Sequence, residues 1–344
     1  MKINIGTLLV VTCGLAYQAW SADYAVSEEE PVLTDAVIRD IGQTYGFQLG
    51  QSFSLNSIEQ KFPELVPQAR LAKLKFESRF GSSIGNMDSV LSRRGEEWSK
   101  VKLELKEKIS GLLGGQTTTL DAAKNFIETV TKRADGDIPS PVLETLLIFN
   151  PSYIEKPESE FLENFKSRYT SDGSDKAKGV KFHLDYPKSW SSANGNRPNV
   201  VRKFVSQNGR GFEIILVTIK PLPLPSGQKP TEKDTEQMVA GIATNEGLKE
   251  MLPAGAIFLS GGQLRLDGKP GFFQKYSLRQ QQLDIALSTL TVSYTIYYQT
   301  AMIQIQCQTG GEAEDEMILK ERFKKFETLF RLVANSLVIE SQWK

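Results

Sequence analysis

The spacing of apolar residues changes along the chain, and this change is what most constrains the fold. Between residue 32 and about residue 170, apolar side chains recur every three or four positions, as in amphipathic helices. From about Gly179 onward, apolar and polar residues alternate, as in strands with one buried face. A helical segment followed by consecutive strands predicts an α+β fold, in which a mainly antiparallel sheet packs with helices. We therefore expect a helical domain at 30–170 and an α+β domain at 176–344.

Local signals predict where several helices begin or bend. Thr34 is expected to cap the first helix and Ser54 the next one. A longer helix is expected to bend near Gly81, and Asp121 is expected to open a later one. Trp98 lies on the apolar face of its helix, which predicts a position in the core.

The second half is predicted to contain strands, one internal helix and a closing helix. The internal helix is expected to run from Thr231 to about Leu252. Apolar residues of the closing helix are spaced by four, three, four and three positions: Leu319, Phe323, Phe326, Phe330 and Val333. Strands are expected at 180–186, 199–206, 211–221, 255–267, 271–282, 285–298 and 301–309.

The N-terminus has the order of a secretory signal peptide. A lysine at position 2 precedes an apolar stretch from Ile3 to Ala16, and Ala19-Trp20-Ser21 is a small-x-small cleavage pattern. The apolar stretch is shorter than the roughly 20 residues that a membrane-spanning helix needs. We expect a signal peptide at 1–21, cleavage near Ser21/Ala22, and a periplasmic or secreted protein that is not integral to the membrane after processing. An uncleaved anchor is the alternative.

Cleavage would leave a single cysteine, because Cys13 would be removed with the leader. The mature chain would then have no internal disulfide. Ile303, Ile305 and Cys307 share one face of a predicted strand, so Cys307 is expected to be a buried and inert thiol. A reactive nucleophile would need a lowered pKa and an adjacent base.

Charge and motifs argue against several classes of ligand. Lys+Arg and Asp+Glu both total 41, so the chain has no bulk attraction for nucleic acid. Phosphate-loop and dinucleotide patterns are absent from the sequence, and the glycines at 209–211 and 261–262 are predicted to form turns between strands. With one histidine, no zinc or copper site is expected. The acidic residues at 312–316 suit the first turn of a helix better than a calcium site. We expect no cofactor or metal site.

One pair of residues could in principle support acid–base chemistry. His183 and Asp185 lie two positions apart in a predicted strand, so both side chains point to the same face. This arrangement could orient an imidazole as a general base, or it could be a solvated strand face beside Lys181. Since no nucleophile is evident nearby, no catalytic residue is predicted.

Three glycines spaced by four positions mark one side of the first helix. Gly42, Gly46 and Gly50 would lie on one stripe, and each costs about 1 kcal/mol relative to alanine inside a helix. Close packing against another helix of the same chain would explain them. A seam for a second copy or for a partner is an alternative, and so is a loop broken by the glycines.

Aromatic residues give one candidate contact. Tyr294, Tyr297 and Tyr298 fall in a strand and are expected to pack on the sheet. Trp190 follows Pro187 at a strand end, where it could lie on the surface and contact a partner.

The second half resembles the PsbP-like fold family, which includes the extrinsic photosystem II protein PsbP and DcrB-type bacterial envelope proteins. Three features carry the resemblance: the segment 179–190 with an aromatic strand followed by Pro187 and Trp190, a proline-bounded loop and helix, and a closing helix that runs into 333–340. The resemblance implies an antiparallel sheet packed between helices, no shared catalytic site, and members that mostly bind or stabilise other proteins. No family is recognised for residues 30–170.

The sequence therefore predicts an exported bacterial envelope protein that acts as a non-catalytic binding or assembly module, with an envelope protein as partner. Self-association through Gly42, Gly46 and Gly50 is a further expectation. Two alternatives stay open, a hydrolase that uses His183 with Asp185 and a carrier of a small ligand.

Overall fold

The computed structural model describes most of the chain as two compact units. The described residues from 31 to 165 form a helical unit, and those from Lys166 onward form a sheet unit. The predicted signal peptide lies outside the described residues. The structure describes residues 31, 33–93, 96–113, 119–222, 224, 228–282, 285–312 and 316–342.

The helical unit is built from helices that are joined by short connections. Thr34 caps the first helix as predicted, since its Oγ1 accepts a hydrogen bond from the backbone N of Val37 at 3.3 Å. Phe80 and Met87 of the second helix are fully buried, and Trp98 is buried as expected. The helices are α1 (Asp35–Lys61), α2 (Val66–Ser92), α3 (Glu96–Leu113), α4 (Leu120–Ala134), α5 (Val142–Ile148), α6 (Pro151–Glu155) and α7 (Glu158–Leu162).

One predicted helix start in this unit is wrong. Ser54 lies inside α1 and caps nothing, because the buried residues Leu55 and Ile58 continue the helix core past it. Gly81, where a bend is expected, lies within the continuous α2 next to the buried Phe80. Tertiary packing of these apolar residues outweighs the local helix-weakening signal of a serine or a glycine.

The sheet unit contains two antiparallel sheets. A three-stranded sheet has the order β1-β2-β10, and a seven-stranded sheet has the order β3-β4-β5-β9-β8-β7-β6. This layout confirms the predicted α+β fold class. The strands are β1 (Lys166–Thr170), β2 (Phe182–Pro187), β3 (Ser191–Asn194), β4 (Val200–Val205), β5 (Glu213–Pro221), β6 (Ala256–Leu266), β7 (Lys269–Gln282), β8 (Ile285–Tyr298), β9 (Ala301–Glu312) and β10 (Val338–Ile339).

Helical elements of the sheet unit differ from expectation in two places. The single helix predicted from Thr231 to Leu252 is two helices, because Thr244 caps the second one through a 3.1 Å hydrogen bond from the N of Gly247 to its Oγ1. Residues 166–170, expected to be helical, form β1 and pair with β2. The helical elements are α8 (Ser206–Gly209), which is a single turn, α9 (Glu232–Ile242), α10 (Asn245–Glu250) and α11 (Glu316–Asn335).

The two faces of the large sheet have different coverings. On one face, Lys275 of β7 contacts Phe323 and Glu327, so α11 lies on this side. The strand register places fully buried apolar residues on the same side, among them Cys307 and Ile215. On the opposite face, α9 and α10 cover only one end, where they form a cluster of Val239, Ile242 and Leu248 with Phe272 and Tyr297.

No helix among the described residues is long and apolar enough to cross a bilayer.

Candidate functional site

The carboxylate of Asp185 is held by two cations of the neighbouring strand. Arg168 donates to it twice, from Nε to Oδ1 at 2.7 Å and from Nη2 to Oδ2 at 3.2 Å, and Lys166 Nζ lies 3.4 Å from Oδ2. The hydrogen bonds from Arg168 lower the pKa of Asp185. The side chain of Asp185 is only 8% exposed, so this group is a buried anion that is already neutralised.

His183 has a different partner. Its Nδ1 lies 3.3 Å from Oε1 of Glu340, which follows β10. The register of β2 does place His183 and Asp185 on one face, as predicted, since Thr170 and Arg168 lie opposite them in β1. The two side chains are nevertheless engaged separately. The structure therefore gives no support to the idea that Asp185 orients the imidazole of His183.

Trp190 is not the surface contact that the sequence suggested. It is 6% exposed, and its ring centroid lies 6.4 Å from that of Phe326 in α11. The closing helix therefore covers a residue that looks exposed when only its position after Pro187 is considered. Tyr294, Tyr297 and Tyr298 are all buried, as expected for residues that pack on the sheet.

Cys307 has the environment that was predicted for it. The thiol is fully buried on the face of the sheet that α11 covers. Burial raises its pKa well above the ordinary value of a cysteine. A thiol in this state is a poor nucleophile, because the thiolate is the reactive form.

The glycine stripe lies on an intact helix and faces open space. Gly42, Gly46 and Gly50 are all inside α1, which excludes the loop interpretation. Within the described part of the chain, no heavy atom other than nearby helix backbone lies within 4 Å of where a Cβ atom would stand at these positions. Close packing against another helix of the same chain, the first explanation from the sequence, is therefore wrong for the described residues.

The acidic stretch before the closing helix is only partly described. Residues 313–315 lie outside the described part of the chain. Glu316 opens α11 and forms an i,i+4 ion pair with Lys320, with 2.7 Å between Oε1 and Nζ. Among the described residues, no group of three His, Cys, Asp or Glu side chains is arranged to hold a metal ion.

A buried ion pair connects the closing helix to the sheet. Glu213 Oε1 lies 3.3 Å from Nε of Arg322, and the two side chains are 4% and 14% exposed. Ser206 Oγ donates to Glu213 Oε2 at 2.6 Å, and the Arg322 guanidinium stacks 4.8 Å from the ring centroid of Phe212. The sequence alone did not predict this pair, because its two residues are far apart in the chain and are brought together by the register of β5 and the position of α11.

Close packing at Gly211 makes the geometry around this pair possible. A Cβ atom at Gly211 would stand 1.8 Å from Ser206 Oγ, which is the group that binds Glu213. The preceding turn has left-handed backbone at Gln207 and Asn208, with φ of 51° and 53°. The turn predicted at 209–211 is present, with Gly209 at a positive φ of 93°, and the two residues before it add strain because they hold left-handed backbone without being glycine. The turn predicted at 261–262 is wrong, because both glycines lie inside β6.

One face of the large sheet carries a block of uncharged polar side chains, which we call the polar face. It lies opposite the face that α11 covers. Most of these side chains are buried, although their chemistry is polar. A signal for this face is present in the sequence. Threonine or serine stands at every second position of the middle of β8, and glutamine stands at every second position of the middle of β9. The polar face consists of Gln274 in β7, Thr289, Thr291, Ser293 and Thr295 in β8, and Gln304, Gln306 and Gln308 in β9.

The outer edge of β6 is the long open edge of the sheet unit. β6 is the last strand in the sheet order and pairs with β7 alone among the described strands. Ile257 and Leu259 are 66% and 47% exposed. A bulge between Phe258 and Ser260 displaces Leu259 from the ladder.

Comparisons with known proteins give likenesses of structure alone. No protein-family model matches the chain, and no curated protein matches it. Cyanobacterial PsbP from Synechocystis is similar over 51% of this chain and 92% of its own, with 17% identity and a TM-score of 0.31. LpqN of Mycobacterium tuberculosis, involved in cell envelope biogenesis, is similar over 54% and 96%, with 13% identity and a TM-score of 0.31.

The Ran-binding protein Mog1p of Saccharomyces cerevisiae is similar over 51% of this chain and 95% of its own, with 12% identity and a TM-score of 0.32. The PsbP-like resemblance predicted from the sequence is thus found among solved structures, over about half of the chain. At these identities and TM-scores, the likenesses carry no argument about activity or partners.

Proposed function

We propose that this chain is an exported, non-catalytic binding module of the bacterial envelope, and that its sheet unit takes up an extended segment of a partner protein along the outer edge of β6. The open edge of β6, with its exposed Ile257 and Leu259, carries the proposal. An unpaired strand edge offers a row of N–H and C=O groups to an incoming strand. The leader-like N-terminal sequence supports the envelope location.

The other strand edges of this unit are short or carry charge. β3, at the opposite end of the large sheet, has four residues, and Arg202 caps its side chains by donating to Ser192 Oγ and Asn194 Oδ1. β1 has five residues and carries Lys166 and Arg168. Short and charged edges are the devices by which proteins prevent strand addition. β6 has eleven residues, exposes two large aliphatic side chains and carries no charged residue from Ala256 to Leu264. The bulge at Leu259 is the one protective device in that segment.

The arrangement of charged residues supports binding over catalysis. His183 is paired with Glu340, and Asp185 is neutralised by Arg168 and Lys166. A general base must reach the proton that it removes and must be free to accept it. Asp185 is therefore engaged by two cations, and the imidazole of His183 is held by Glu340 rather than by Asp185.

A photocrosslinking amino acid at position 257 of the full chain, expressed in the source bacterium, tests the proposal. We expect a crosslink to one partner polypeptide, and mass spectrometry of the crosslinked peptide should identify one short segment. Leu259→Lys should abolish the crosslink, because it places a charge next to the incoming strand. Met317→Lys is the matched control, since Met317 is 73% exposed on α11 of the same unit.

A synthetic peptide of the identified segment gives the second readout. Hydrogen exchange should slow in β6 and in few other places, because main-chain pairing protects the amides of an edge strand. The proposal is overturned if a crosslinker at position 317 captures the same segment equally well, or if protection appears away from β6.

Self-association through the glycine stripe is a second candidate interaction. The open space around Gly42, Gly46 and Gly50 supports it, since the stripe is not used by a neighbouring helix in the described residues. Sedimentation of the mature chain with and without Gly46→Leu tests it, because the larger side chain would separate two helices that pack at the stripe. Identical monomer masses for both proteins over the concentration range would exclude the seam.

A further inference from the structure

β6 contains two neighbouring glycines, and the fold accounts for only one of them. A Cβ atom at Gly261 would stand 2.5 Å from a side-chain carbon of Leu248 in α10 and 2.8 Å from the carbonyl oxygen of Phe273, so no side chain fits there. At Gly262 the nearest atom is Cε1 of the Phe273 ring at 3.3 Å, and the backbone φ is not positive. Glycine weakens a strand, and one without an internal reason indicates close approach of another molecule.

The ring of Phe273 lies over Gly262 from the neighbouring strand. The two residues are directly opposite each other in the ladder of β6 and β7. Phe273 is two positions from Lys275, so its side chain is on the face of the sheet where α11 lies. Phe273 and Gly262 are both half-buried, whereas Phe272 on the other face is completely buried. The ring is therefore accessible to a molecule that arrives at the outer edge of β6.

A strand added at the outer edge of β6 would place one residue opposite Gly262. Since adjacent strands are about 4.8 Å apart, the Cα atoms of this residue and of Phe273 would be about 10 Å apart, with the glycine between them. A small side chain on the added strand would leave a gap above the glycine. An aromatic side chain is long enough to reach the Phe273 ring, and a ring that covers a glycine at a sheet edge stabilises that position.

The side chains on either side of Gly262 along this face are apolar. Leu264 is two residues further along β6 and is half-buried. In the other direction, Ile257 is 66% exposed and lies opposite Ser277, which shares the face of Phe273. This part of β6 carries no charge. An incoming strand would therefore meet a row of apolar groups with one gap, and the gap is at the glycine.

We infer that the β6 edge selects extended segments that carry an aromatic residue opposite Gly262, with apolar residues two positions away on each side. The inference rests on the proposed function, because it specifies which segments that edge accepts. Gly262 and Phe273 determine the specificity, in the way that side-chain pockets do wherever a peptide adds to a sheet. A second copy of this chain is not the expected occupant, since its own β6 presents isoleucine, serine, glycine and leucine on this face and no aromatic residue.

Four synthetic peptides, titrated against the mature chain, test the inference. Each has nine residues and blocked ends, with lysine at both ends, threonine at the even positions and valine at positions 3 and 7. Position 5 is phenylalanine, leucine, alanine or glutamate. Fluorescence anisotropy gives each Kd, and hydrogen exchange shows whether the peptide protects β6. We expect the phenylalanine peptide to bind about threefold to tenfold more tightly than the leucine peptide, because a ring pair contributes beyond its buried area. Alanine should bind more weakly still, and glutamate most weakly.

Variants of the chain separate specificity from folding. Gly262→Val fills the gap from within β6, so the preference for phenylalanine over leucine should fall below about twofold. Gln263→Val is the matched control, because it makes a similar change at the next residue, whose exposed side chain is on the other face, and it should leave the preference unchanged. Phe273→Leu keeps an apolar side chain and removes the ring, so it should also abolish the preference. Thermal unfolding checks that each variant is folded.

The outcomes distinguish this inference from the proposed function. Equal Kd values for the phenylalanine and leucine peptides, or a preference that survives in the folded Phe273→Leu variant, overturn the inference. The proposed function still stands in that case if the peptides protect β6. If no peptide protects β6, neither the inference nor the proposed function is supported, and both are rejected. A parent chain that sediments as a dimer, and that Leu259→Lys converts to a monomer, also overturns the inference, because a second copy then occupies the edge.

Discussion

Arg168 and Asp185 face each other across the antiparallel pair of β1 and β2, with the Nε and Oδ1 atoms 2.7 Å apart. Lys166 approaches the second carboxylate oxygen from the same strand. The interaction therefore ties the first strand of the sheet unit to its neighbour by a bidentate pair in addition to the ladder. Bidentate arginine–carboxylate pairs are among the stronger polar contacts in proteins.

Asp185→Asn should destabilise the protein by about 1–3 kcal/mol at neutral pH, because it removes an ionised partner from a buried pair. Arg168 holds the pKa of Asp185 below its ordinary value. The contribution of the pair is therefore fully present above the unfolded-state pKa of about 4, and it is lost as the pH falls through the lower folded-state pKa. Urea unfolding of parent and variant between pH 7 and pH 2 measures this.

The difference in stability between parent and Asp185→Asn should be constant from pH 7 to about pH 5 and should shrink below about pH 4. Lys166→Met is the control, because its ammonium group is more distant and partly exposed, and it should cost less than about 1 kcal/mol. A difference that grows with acidity would contradict the assigned pairing.

His183→Ala should leave the protein folded and its partner binding unchanged. The pair of His183 with Glu340 is partly exposed, so its loss should cost less than about 1 kcal/mol. Circular dichroism and the position-257 crosslink check the two expectations. A folded variant that keeps the crosslink and loses function in the cell would favour the hydrolase alternative instead.

Arg322→Met should destabilise the protein by about 3–5 kcal/mol, because it leaves the buried carboxylate of Glu213 without its counterion. The control is Lys320→Met on the same helix. Its pair with Glu316 is exposed, so the loss should be much smaller than that of Arg322→Met. Denaturant unfolding measures both. The double variant Glu213→Leu with Arg322→Met should recover part of the loss, since it removes both charges together. If Arg322→Met and Lys320→Met lower the free energy of unfolding equally, the buried pair has no special role in stability.

Gly46→Ala should stabilise the protein by about 1 kcal/mol, because alanine is the better helix former and the new methyl group meets open space. Gly85→Ala, in α2, is the matched case, since its position is also open. Thermal unfolding of both variants gives the measurement. A loss of stability at Gly46 alone would indicate that something packs on the stripe.

Cys307 should not react with a thiol reagent in the native protein at pH 8, and it should react fully after unfolding. The physical reason is its complete burial, which blocks access and raises the pKa of the thiol. A chain that lacks residues 1–21 contains no other cysteine, so the labelling stoichiometry is unambiguous. Rapid labelling of the folded chain would require that the sheet opens at β9.

Features that depend on local periodicity could be predicted from the sequence. Leu319, Phe323 and Phe330 recur at helical spacing and are buried in α11 as expected. Thr34 caps α1 because capping involves only the next few residues.

Features that depend on the strand register could not be predicted. Trp190 is covered by Phe326, which belongs to a distant helix. Likewise, Ser293 and Gln306 are ordinary polar residues in the sequence and become neighbours on the polar face only when β8 and β9 pair. The two separate partners of His183 and Asp185 arise in the same way, Arg168 from β1 on one side of β2 and Glu340 from the turn that follows β10 on the other side.

The tight contact at Gly211 has a consequence for how this chain tolerates sequence drift. Any side chain at this position would collide with the Ser206 hydroxyl and would displace it from Glu213. In a saturation library selected for folding, position 211 should therefore accept glycine alone, while positions 42, 46 and 50 should accept many residues. Distant relatives of this protein should accordingly retain Gly211 more often than the glycines at 42, 46 and 50, even where the rest of the turn between β4 and β5 has changed.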